Sequence, residues 1–279
     1  MRIRKKLHTA IKLLIGLLLL LYTLFPIYWL VAMSVRPMSE MRGHISLIPQ
    51  AFTWEHFLEL FTQKDFGRAL KNSLQVTGVS LIVSMTFGLC AAYVLTRQRF
   101  RFRLKKPLNY WVLVVRILPP IAFTIPLYTM FNRLGILNTK IPAMLACILI
   151  NIPFIIWFMV SFFQVLPEDM EKSARIDGAK EWQLFWRIVL PLVAPGIAAV
   201  AMLSFMYAWN EYTYSIIFVQ SPQNYTIPLT LATLNSDDSL TNFGLVAAGG
   251  MMSVLPILLF VIFAQNYLIA GLSSGAVKE

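Results

Sequence analysis

Residues 171 to 178 read EKSARIDG, which sets Glu171, Lys172, Ser173, Ala174, Asp177 and Gly178 close together in a chain that is otherwise mostly apolar. Such a group suits recognition rather than bond making. Small side chains allow close approach, charged ones pair with complementary groups, and a glycine permits a sharp turn. Catalytic residues are not expected: no His, Asp or Glu constellation lies inside an apolar segment, and Ser or Thr without a base makes no nucleophile. No metal site is expected either, because His8, His44 and His56 lie outside the apolar segments and no Cys or His cluster has ligand spacing. Cys90 and Cys147 both fall inside apolar segments, which argues against a disulfide framework.

The elements that carry this group are dictated by composition. Of 279 residues, 58% are hydrophobic and 13% charged, against about 45 to 50% and about 25% in ordinary globular chains. Lipid is therefore the expected solvent. Apolar runs of the roughly 20 residues that cross the hydrocarbon fall near 11–35, 73–96, 108–131, 141–163, 192–210 and 244–272. The first is too long for a signal-peptide core and lacks a small-residue cleavage site, so it reads as a retained span. A short amphipathic helix is expected around Trp54 to Phe61 in the polar stretch that follows.

Charge placement gives the topology. Sixteen of the 24 Lys and Arg residues fall on the N-terminal arm, in RQRFRFRLKK (Arg97 to Lys106), around the 171–178 group and at Lys278, while seven fall in the alternate loops. The positive-inside rule then makes both termini cytoplasmic. The net charge of +11 is topological, and nucleic acid is not an expected partner. Arg116 alone sits within a span, roughly 12 Å deep at about 1.5 Å per residue, which calls for a polar interhelical partner or a water-filled path.

Around the opening group, Pro167 with Glu168, Asp169 and Glu171 marks a helix start, and Gly178 marks its end. A second helix is expected from Ala179 to Leu190, with Trp182, Phe185, Trp186 and Val189 forming one apolar stripe. Two short helices joined by a glycine turn serve as an interfacial amphipathic loop or as a docking knob for a soluble partner. The residues by themselves leave both open.

The stretch resembles the signature loop of permease subunits of binding-protein-dependent ABC importers, E-A-A-x-x-x-G followed by I-x-L-P. Ser173 and Ala174 fall on the small positions, Asp177 and Gly178 on the acid and glycine, and Ile188, Leu190 and Pro191 on the ending. Lys172 occupies the leading acidic position, with Glu171 one residue earlier. FGRALKNSLQV, FMYAWNEY, GLVAAGGMMSVLPI and AQNYLIAGLSSGAVKE extend the similarity over nearly the whole chain, toward the carbohydrate branch and its smaller maltose-permease subunits.

The resemblance implies an all-α, polytopic membrane protein of the type I ABC importer permease fold. Its parts are a cytoplasmic arm over 1–10, six transmembrane helices over 11–272 with a cytoplasmic coupling-helix loop over 164–191, and a cytoplasmic tail over 273–279. Implied partners are a second permease subunit, an ATPase subunit dimer that handles ATP and Mg, an extracytoplasmic solute-binding protein, the lipid bilayer of the bacterial inner membrane and a carbohydrate substrate. No cofactor is expected on this chain, which has no G-x-x-x-x-G-K-[ST] phosphate loop. Ser274, Gly275 and Lys278 become candidate ATPase contacts. Tyr128, Asn151, Trp209, Asn210, Glu211 and Tyr212 supply the aromatic faces and hydrogen-bonding groups of a sugar path, although aromatic residues at a span's end also serve as interface anchors. A secondary transporter or channel working alone would want paired intramembrane acids or an inverted repeat, and a membrane-embedded enzyme would want a base beside a nucleophile; neither pattern is visible.

Overall fold

A computed structural model describes residues 2–41, 45–234 and 242–275, with side chains described over 8–41, 45–234 and 242–265. All regular elements among these residues are helical. Besides short 3-10 turns at Pro120–Phe123 and Pro222–Asn224, they are in chain order α1 (Arg2–Ser34), α2 (Met38–Met41), α3 (Glu55–Thr62), α4 (Phe66–Thr96), α5 (Lys105–Ile117), α6 (Thr124–Arg133), α7 (Ile141–Val165), α8 (Glu168–Ile176), α9 (Glu181–Leu192), α10 (Ala194–Trp209), α11 (Thr213–Phe218), α12 (Ile227–Leu234) and α13 (Phe243–Gly275). The amphipathic helix expected near Trp54 is α3.

Four helices are long and apolar enough to cross a membrane by themselves, over His8–Ser34, Phe66–Thr96, Ile141–Val165 and Phe243–Gln265; six spans result if two bent pairs each count as one. The first bent pair corrects the continuous third span. The chain turns by 106° between Lys105–Ile117 and Pro120–Arg133. Pro119 and Pro120 cause it: proline donates no N–H and disfavours helix in the residue before it, here Leu118, which stands extended at ψ 131°. The second pair turns by 80° between Glu181–Leu192 and Ala194–Phe218, where Pro195 takes an early position in α10 at no hydrogen-bond cost.

The chain divides into two compact units, one formed by 1–67 with 231–255 and the other by 68–230 with 256–279. In the first, the leucine-rich face of α1 is exposed throughout, as a lipid-facing helix must be. Arg36, wholly buried, donates to the Ser46 carbonyl at 2.6 Å, and its own carbonyl meets His56 Nε2 at 2.8 Å. In the second, α4, α7, α9 and α10 share one core built on Ala92, Tyr93, Ile155, Phe163, Val189 and Val200. Helix α4 comes so near α7 that a Cβ at Gly88 would stand 2.7 Å from the Ile155 side chain. Small residues let helices meet closely where lipid supplies no hydrophobic drive.

Candidate functional site

Helix α8 begins one residue after Pro167, which is extended at φ −61° and ψ 129°, and carries Glu168, Asp169 and Glu171 in its first turn, where the helix dipole favours negative charge. It closes as the sequence requires. Gly178 adopts φ +85°, its N–H donates to the Arg175 carbonyl at 3.0 Å, and the Ala179 N–H donates to the Ala174 carbonyl at 3.0 Å. This reciprocal pair satisfies end carbonyls through a left-handed residue that glycine adopts without steric cost.

The second helix departs from expectation. Within α9, residues Phe185–Val189 form a wide π turn, and one added residue per turn breaks the 3.6-residue repeat. Phe185 and Val189 reach the core, whereas Trp182 and Trp186 are 67% and 45% exposed and pack on each other at 5.2 Å. The single stripe is in fact two faces.

Of the six residues predicted at this hook, Lys172, Ser173, Asp177 and Gly178 are exposed and Ala174 is half-buried. Lys172 pairs with Asp169 at 2.7 Å; that hydrogen bond holds the Asp169 carboxyl below its ordinary range and raises the lysine. Glu171 is different: it is 1% exposed and turned inward, away from any partner's reach. Arg97 Nε lies 2.6 Å from Glu171 Oε1 as a charge contact without hydrogen-bond alignment. Tyr93 Oη donates to Glu171 Oε2 at 2.9 Å and Arg175 Nη2 donates to the same oxygen at 3.1 Å. Arg97 Nη1 also donates to the Phe163 carbonyl at 2.7 Å, capping the end of α7. Arg175 Nε reaches Glu181 at 3.2 Å, and Arg99 grips the same carboxylate with two nitrogens. Glu171 thus clamps α8 to the end of α4, Arg97 extends the clamp to α7, and Arg175 ties α8 to α9 through Glu181.

Two participants in this region escape a reading of local sequence. Arg97 and Tyr93 sit in another loop and span, so nothing near residue 171 announces them. Ile176, the last residue of α8, is 87% exposed and gives the hook an apolar tip; its isolation on a charged helix was the available signal.

The second predicted set does not come together. Asn151, 1% exposed, lines a cavity of about 350 Å³ with Arg116, Ile150, Phe154, Leu203 and Tyr207. Arg116 lies 4.0 Å from the Trp157 ring centre and 4.9 Å from that of Phe154, so its charge meets aromatic faces of α7 in place of the polar partner expected. Trp209, 2% exposed and stacked on Phe205 at 5.6 Å, is packing rather than an open platform. Glu211 is 7% exposed and accepts from the Tyr214 and Ser215 N–H groups and the Ser215 hydroxyl, which holds the start of α11. Tyr128, Asn210 and Tyr212 are exposed and do not line that cavity. Ser274 and Gly275 end α13, where side chains lie outside the described residues, as does Lys278 altogether.

Residues 84–272 match the family described as binding-protein-dependent transport system inner membrane component. The trehalose transport system permease protein SugB of Mycobacterium tuberculosis is 31% identical over 92% of this chain and 93% of its own length. The arabinooligosaccharides transport system permease protein AraQ of Halalkalibacterium halodurans is 33% identical, with 91% of each chain covered. A chain in the crystal structure of a bacterial ABC transporter involved in the import of the acidic polysaccharide alginate shares the fold, at TM-score 0.80 and 19% identity over 94% of this chain and 96% of that one. The protein belongs to the family of inner-membrane components of binding-protein-dependent transport systems.

Proposed function

We propose that this chain is one of two permease subunits of an ATP-driven carbohydrate importer in a bacterial inner membrane. It forms half of the solute path and takes its driving force from a separate ATPase dimer, while an extracytoplasmic binding protein delivers the sugar. The observation that carries this reading is the hook α8: a solvent-facing helix with an apolar tip at Ile176, closed by Gly178 and clamped from within through Glu171. A helix so held is stiff enough to transmit a push, and rigid-body movement of attached helices is a known form of such coupling. Relatives named for trehalose and arabinooligosaccharide transport support the carbohydrate class. Lys172, Ser173, Ala174, Asp177 and Gly178 would face the ATPase, with Ser274, Gly275 and Lys278 as a second contact. The 350 Å³ cavity at Asn151 is within the range of about 300 to 1,000 Å³ of small-molecule sites.

Reconstituted with a sister permease and the binding protein, the chain is expected to accumulate sugar only when the ATPase and ATP with Mg are added. Uptake without the ATPase would leave a self-sufficient transporter instead. Sidedness has its own check. In a background without Cys90 and Cys147, Phe102→Cys and Lys172→Cys are expected to label from the cytoplasm and Asp237→Cys, outside the described residues, from the other side. Reversed labelling would overturn the orientation, both termini included.

A further inference from the structure

The stretch Arg97–Lys106 divides its cations by use. Arg97 and Arg99 are committed to Glu171 and Glu181, and Lys105 Nζ donates to the Arg97 carbonyl at 2.7 Å. Arg101, Arg103 and Lys106 are exposed and make no ion pair among the described residues. With Gln98, Phe100 and Phe102 they line an open groove of about 510 Å³. Phe102 and Leu104, which alternate with these cations, are 40% and 63% exposed.

The groove lies between the end of α4 at Thr96 and the start of α5 at Lys105, where two apolar segments leave and re-enter the bilayer. In the permease reading, that junction between two apolar segments sits at headgroup depth. A second observation agrees: Trp182, exposed on α9, lines a shallow pocket with Arg99, Phe100 and Glu181 and carries Trp186 packed on it at 5.2 Å, and tryptophan concentrates at the membrane interface. Cations interleaved with exposed aromatic and aliphatic side chains match a medium that is anionic at its surface and apolar just beneath.

We propose that this groove binds the headgroup phosphate of an anionic phospholipid, with Arg101, Arg103 and Lys106 as its ligands, Leu104 inserted beside the acyl chains and Phe102 at the water-facing rim. It ties to the bilayer the same segment whose Arg97 and Arg99 brace the hook, so the brace has a fixed base. The proposal rests on the permease reading for its setting at the membrane surface, and only there.

The test uses the complex that contains this chain, purified from membranes into nanodiscs of phosphatidylcholine with or without phosphatidylglycerol. Both faces then carry the same lipid, so sidedness drops out. Wild type is expected to retain phosphatidylglycerol over phosphatidylcholine on detergent extraction, read by native mass spectrometry. The triple variant Arg101→Gln, Arg103→Gln and Lys106→Gln should lower that preference about tenfold or more, while Arg101→Lys with Arg103→Lys keeps it. Equal retention by wild type and the glutamine variant overturns the proposal. Loss of a protein subunit from that variant in both lipid mixtures also overturns it, making the surface a protein dock. Release of phosphatidylglycerol by added inorganic phosphate does the same, making it a soluble-phosphate site. ATP hydrolysis by wild type in neutral lipid, measured alongside, reports on the permease reading separately.

Discussion

Glu171→Gln is expected to leave the chain in the membrane, lower its thermal midpoint and let ATP hydrolysis run without matching solute uptake. The carboxylate is 1% exposed, and it faces Arg97 at 2.6 Å and Arg175 at 3.1 Å. Removing one member of a buried ion pair strands the other charge, at about 3 to 5 kcal/mol. Here the stranded charge is chiefly Arg97, whose side chain is 3% exposed; Arg175, at 29%, can turn to water and should lose little. Arg97→Gln should cost a comparable amount: Glu171 keeps Arg175 and the Tyr93 hydroxyl, but the buried Phe163 carbonyl loses its Arg97 donor. Combining the two substitutions should cost less than the sum of the singles, with a coupling in the range of about 0.5 to 3 kcal/mol found for contacting residues. Strict additivity in thermal unfolding would show that the pair does not act as a unit. Normal coupling in both single variants would remove the clamp from the mechanism while leaving its structural role intact.

The hook itself is legible in the sequence because its determinants are local. Pro167, the acids of the first turn and Gly178 mark a helix whose ends lie within a residue or so of Glu168 and Ile176. The burial of Glu171 is not legible, since its partner Tyr93 is 78 residues away and only the packing of α4 against α7 brings them together. The two faces of α9 are lost for a different reason: a π turn over Phe185–Val189 breaks the 3.6-residue repeat from which one stripe was read, and leaves no mark in composition. Pro119 and Pro120 announce an interruption of the third span, but a bend of 106° depends on what α5 and α6 pack against. Trp209, Asn210, Glu211 and Tyr212 look alike as a polar and aromatic cluster at a span's end. Their separation into buried Trp209 and Glu211 and exposed Asn210 and Tyr212 follows from the turn into α11, which a linear pattern does not encode.

Gly178→Val is expected to abolish coupling while changing the isolated chain's stability far less than Glu171→Gln does. At φ +85° a β-branched residue is strained, and the left-handed region costs an L-residue about 1 to 2 kcal/mol. Nothing within 4 Å would meet a Cβ there, so the chain itself offers no clash and the penalty inside the subunit is conformational. Open space beside a turn at the foot of the exposed hook leaves room for a partner's surface. Two substitutions separate turn from contact. Asparagine tolerates the left-handed conformation, so Gly178→Asn should keep the turn while adding a side chain outside it. If the ATPase packs against the turn, Gly178→Asn weakens co-purification nearly as much as valine does, with an almost unchanged thermal midpoint. If only the turn's geometry matters, asparagine behaves as wild type and valine alone fails. Full transport by both variants, with the ATPase still co-purifying, would mean that neither shape nor surface at Gly178 transmits force. The push would then have to enter through another part of the chain, and the clamp around Glu171 would be holding a helix that carries no load.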